Sequence, residues 1–120
     1  MAIAGPLGLT AAGLVLIGRG REHEADAAPA VRAYRRPIAR IAAGLAARDV
    51  ASAAIDVSDG LTRDVGHVAR ASNVLMVLDR PTLLTPELER AAALAEADPY
   101  QLALDGTLTL LDERGYDHFG

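Results

Sequence analysis

The chain contains no cysteine, which excludes disulfide frameworks, thiolate zinc sites and thiol nucleophiles and agrees with a reducing compartment. Lysine is missing as well: all 12 basic residues are arginine, so a P-loop lysine and a Schiff-base lysine are both excluded. Tryptophan is absent and aromatics make up 3% of the residues, so a core must be assembled from Ala, Leu, Val and Ile, which bury less area apiece than Phe or Trp. Acidic residues outnumber basic ones, 16 to 12. With a net charge of −4 and no basic cluster interleaved with aromatics, the sequence carries no electrostatic footprint for nucleic acid. The apolar run Leu9 to Ile17 is too short to span a bilayer and lacks the preceding positive charge of a secretory leader. For 120 residues the expectation is one small domain in the cytoplasm, with neither membrane nor nucleic acid as partner.

What is present is an alternation of strand-like and helix-like runs. Met1 to Ala4, stopped by Gly5-Pro6, reads as a strand, and the spacing of Leu9, Ala12, Leu14 and Ile17 reads as a helix. Gly18 to Ala27 is charged and reads as a solvated loop; its Glu22, Glu24 and Asp26 are a candidate metal set that no pattern fixes on one face. Pro29 to Ala47 has a helical pattern broken at Pro37, which predicts two helices meeting at Arg36-Pro37. Ala51 to Val57 and Val74 to Leu78 are compact apolar runs that read as buried strands. Between them Leu61, Val65, Val68 and Ala69 make the apolar face of a helix, with Arg63, Asp64, His67 and Arg70 opposite. Thr85-Pro86-Glu87 supplies an N-cap, a first-turn proline and a first-turn acid for a helix reaching about Ala95. Asp98-Pro99 opens a further helix to Leu104, and Asp105-Gly106 turns the chain into a last strand, Thr107 to Leu111. The pattern predicts an α+β fold, one mixed β-sheet with helices packed on it.

Chemistry concentrates in Asp56-Val57-Ser58-Asp59-Gly60-Leu61, at the turn from the apolar run into the helix. Two carboxylates three positions apart, where backbone N–H groups become free, can hold a divalent cation against a phosphate. The competing reading is structural: Ser58 or Asp59 caps the helix that follows. Elsewhere the signals are diffuse. His23, His67 and His118 share no metal-ligand spacing, and Ser58 has no neighbouring histidine to serve as a base. Gly5, Gly8 and Gly13 suit either close phosphate approach or tight helix packing, and Arg35-Arg36 suits either an anion or a solvated helix end.

Taken together, Gly5-Pro6-Leu7-Gly8 with Ala11-Ala12-Gly13-Leu14, Tyr34-Arg35-Arg36-Pro37, Ala54 to Leu61, Asp64-Val65-Gly66-His67 and the ending Gly115-Tyr116-Asp117-His118-Phe119 resemble thiamine-monophosphate kinase. The tail separates that family from aminoimidazole ribonucleotide synthetase and other enzymes that share the fold. The resemblance implies ATP-dependent phosphorylation of thiamine monophosphate to thiamine diphosphate with Mg2+. It also implies roles: Asp56 and Asp59 as magnesium ligands, Ser58 as an ATP contact and Tyr116 as a residue lining the substrate pocket. It further implies that residues 1–120 form a single, incomplete C-terminal kinase domain, with 1–106 as its body and 107–120 as a strand and tail. The family's Gly-Gly-Glu-Asp-Tyr motif is missing after Gly106, so the chain reads as a truncated and internally deleted member. Its expected partners are ATP, thiamine monophosphate, and either a second copy or a separate N-terminal half. A non-catalytic interaction module and a decayed fragment are the alternatives.

Overall fold

The computed structural model describes residues 1–104. Five α-helices are bounded within it: α1 Leu9–Gly18, α2 Ala28–Arg35, α3 Ile41–Ala47, α4 Leu61–Ser72 and α5 Pro86–Ala95. A further helical segment, α6, covers 99–104, and 3-10 turns occupy Ala25–Ala27 and Arg80–Leu83. Helix α1 lies at the centre and packs against α2 and α5.

Small side chains set that packing. A Cβ on Gly13 would run into the Ala30 carbonyl, so α1 and α2 touch backbone to backbone at a point only glycine permits. Gly8, at φ 77°, opens α1 while a Cβ there would sit 2.9 Å from the Leu102 carbonyl carbon, bringing α6 onto the same corner. The core that results is alanine and leucine, with Val31 and no aromatic ring among its buried members. Leu16, Leu61 and Leu88 are the largest side chains sealed inside it.

Helix ends are closed locally. Thr85 Oγ1 accepts the Leu88 N–H at 3.2 Å and Pro86 fills the first turn, so the start of α5 is the one its sequence specifies. At the other end of α5, the guanidinium of Arg19 donates to the Ala95 carbonyl and that of Arg21 to the Leu94 carbonyl at 2.9 Å. Those cations neutralise the negative end of the helix and satisfy carbonyls that have no helical partner. Asp98 caps α6 by accepting the Tyr100 N–H at 2.9 Å.

The expected α+β fold with a mixed β-sheet is overturned: the described residues are helical and include no strand. Residues 1–4, 52–57 and 74–79 belong to no helix and no ladder, although Ala51 to Val57 and Val74 to Leu78 were the predicted buried strands. An apolar run becomes a strand only where a neighbour lies about 4.8 Å away to exchange backbone hydrogen bonds. Among the described residues neither run is paired in a ladder, and much of their apolar surface is open: Ile55 is 47% exposed, Val57 46%, Leu75 88% and Val77 82%. The predicted meeting of two helices at Arg36-Pro37 is also modified, because α2 stops at Arg35 and non-helical residues 37–40 separate it from α3. The predicted strand Thr107 to Leu111 and the tail lie outside the described residues.

Candidate functional site

The acidic turn enters α4 through Gly60, whose φ of 103° and ψ of 145° belong to a backbone region essentially reserved for glycine. That conformation turns the chain sharply between Asp59 and Leu61. Leu61, 1% exposed, anchors the far side of the turn in the core, whereas Asp56, Ser58 and Asp59 all face solvent. The turn is thus pinned from behind and open in front.

Neither Ser58 nor Asp59 caps α4: among the described residues no side chain accepts from the helix's first turn. The N–H of Asp64 bonds to the Gly60 carbonyl at 3.0 Å; the N–H groups of Leu61, Thr62 and Arg63 precede that first bond and carry the positive end of the helix. Order comes instead from a residue assigned by its spacing to the polar face. Asp64 is 3% exposed, and its Oδ2 accepts the Ser58 N–H at 2.8 Å and the Asp59 N–H at 3.1 Å. His67 and Arg70 do lie exposed as predicted, with Arg70 Nη2 3.1 Å from His67 Nδ1. The signal that could have singled out Asp64 is an acid in a helix's first turn behind a tight turn, an arrangement related to the capping box.

Asp56 and Asp59 offer hard oxygen donors on an exposed turn next to the N–H groups that open α4. Among the described residues no group of three His, Cys, Asp or Glu side chains could hold a metal ion. The pair therefore does not make a cage for a cation by itself. It does suit magnesium, which commonly takes one or two carboxylates and completes its octahedron with water and phosphate oxygens. In the charged loop, Glu24 pairs with Arg21 at 2.9 Å and Glu22 Oε1 lies 3.8 Å from His23 Nε2. Gly8 and Gly13 are spent on helix packing. Tyr116 lies outside the described residues, and so does His118.

No protein-family model matches the chain. Individual proteins do: thiamine-monophosphate kinase of Escherichia coli (strain K12) is 36% identical over 112 residues, covering 83% of this chain and 34% of the relative. The crystal structure of thiamine monophosphate kinase from Aquifex aeolicus matches with a TM-score of 0.79 at 32% identity, covering 86% of this chain and 36% of that one. The chain belongs to the thiamine-monophosphate kinase family. It spans about a third of the length of the kinases it matches. A further structure of the Aquifex kinase, complexed with AMPPCP and TMP, matches with the same TM-score of 0.79 over 86% of this chain. No helix among the described residues of this kinase homologue is long and apolar enough to cross a membrane.

Proposed function

We infer that the chain carries one part of the site at which a thiamine-monophosphate kinase brings ATP and thiamine monophosphate together, in the cytoplasm, as one incomplete C-terminal kinase domain. The observation that carries this reading is the likeness to a kinase complexed with AMPPCP and TMP, over a stretch that includes the solvent-facing Asp56–Asp59 turn. In the overall reaction an oxygen of the acceptor's phosphate bonds to the γ-phosphorus of ATP while the bond from that phosphorus to the β–γ bridging oxygen breaks, giving thiamine diphosphate and ADP. The acceptor oxygen is already ionised, so no general base is needed and the work is positioning and charge neutralisation. Asp56 and Asp59 would hold Mg2+, which when bound offsets phosphate charge. Ser58 would contact ATP, the N–H groups at the start of α4 would face a phosphate oxygen, and Tyr116 would line the substrate pocket.

With two carboxylates on an open turn, the chain alone is expected to bind nucleotide weakly and to turn over little or no substrate. Titrating the purified chain with MgATP tests this: weak, saturable binding that Asp59→Asn removes is the expected result. Turnover of thiamine monophosphate and ATP to thiamine diphosphate by the isolated chain, lost in Asp56→Asn, would overturn the expectation of inactivity. Absence of any nucleotide binding would overturn the site assignment. The exposed apolar runs around Val50 and Leu75 favour a second reading, a module that pairs with another chain or with a second copy. Concentration-dependent assembly without magnesium-dependent nucleotide binding would select it.

A further inference from the structure

We propose that Asp64 is the positioning residue of the acidic turn, holding its backbone so that Asp56 and Asp59 point outward together. The carboxylate is buried, which costs free energy unless the charge is hydrogen-bonded, and its Oδ2 takes both the Ser58 and the Asp59 N–H groups. Those two amides belong to the segment between the carboxylates, so fixing them fixes the separation and direction of the side chains on either side. The helix supports the arrangement, because an anion in its first turn is stabilised by the positive end of α4. No other side chain hydrogen-bonds to the Ser58 or Asp59 backbone among the described residues. Without Asp64 the turn keeps its glycine corner and its Leu61 anchor but loses what restrains residues 58 and 59. Asp64 then touches neither cation nor nucleotide; it acts through the turn. This inference rests on the reading of Asp56 and Asp59 as cation ligands.

The test uses the full-length chain labelled with 15N, reading amide hydrogen exchange at Ser58 and Asp59 and Mn2+-induced line broadening at the turn. In Asp64→Ala both amides should exchange faster by about tenfold or more, the scale of a lost charged hydrogen bond. Protection of the Leu88 amide in α5 should be unchanged, and the Mn2+ concentration giving half-maximal broadening should rise several-fold. Asp64→Asn, which keeps an acceptor oxygen in place, should restore part of both effects; it also decides the matter if Asp64→Ala loses the Leu88 protection and so fails to fold. Amides at 58 and 59 that exchange at the parent rate in a folded variant overturn the inference. So do faster amides with unaltered Mn2+ broadening, and that result leaves the cation reading standing. A parent chain in which Mn2+ broadens nothing near Asp56 and Asp59 overturns the cation reading instead, while exchange at the two amides still decides whether Asp64 holds the turn.

Discussion

The block formed by α1, α2 and α5 and the stretch from Ile38 to Val57 have similar apolar content and opposite fates. In the block, Leu16, Ala30, Leu88 and Ala95 are sealed from water. In the stretch, Ile38 is 71% exposed, Ile41 66% and Leu45 57%, and α3 has no buried residue. Hydrophobicity alone therefore did not decide burial. In the block the glycine-to-carbonyl contact at Gly13 holds α1 against α2, Arg19 and Arg21 tie the end of α1 and the loop after it to the far end of α5, and the Thr85 cap closes α5 locally. The acidic turn sits between the two regimes, with Leu61 and Asp64 on the packed side and its carboxylates on the open one.

Truncating leucines in the two regions should break the comparison most sharply. Leu88→Ala removes a fully buried side chain from α5 and should cost about 2–5 kcal/mol in denaturant unfolding, because the cavity cannot close against a core already rich in alanine. Leu45→Ala deletes the same atoms from α3 and should change stability by less than about 0.5 kcal/mol. Equal losses would mean that α3 is packed in solution. A smaller effect is expected from Gly13→Ala, where one methyl group meets the Ala30 carbonyl and α1 must move off α2. The cost should be about 1–3 kcal/mol, read as a lower unfolding midpoint with an unchanged slope.

The packed block was legible in the sequence because its determinants are local. Thr85-Pro86 announces α5, Asp98 announces α6, and the spacing of Leu9 and Leu14 announces α1. The acidic turn was legible as a concentration of oxygen donors, but its restraint was not: a binary pattern of apolar and polar positions puts Asp64 beside Arg63 and His67, whereas a short carboxylate in the first turn can fold back to amides before the helix. The sheet failed for a different reason. Strand character is a property of a pair of segments, and Ala51 to Val57 and Val74 to Leu78 announce apolar runs without announcing a partner.

The second of those runs allows the finest test, since its side chains divide by position. Met76 and Leu78 are half-buried and Leu78 packs against the core, while Leu75 and Val77 between them face water. That is the period of two expected for a strand with one covered face, in a segment that joins no ladder among the described residues. A double change, Leu75→Thr with Val77→Thr, keeps β-branched geometry at 77 and removes apolar surface only from the open face. Thermal stability of a dilute sample should move by less than about 0.5 kcal/mol. Self-association at high concentration, followed by light scattering, should fall, because an exposed apolar segment with unpaired backbone groups is what another chain would adhere to. If the double variant instead loses as much stability as Leu88→Ala, the open face is covered in solution, and the contrast between the packed and open regions belongs to the packed block alone.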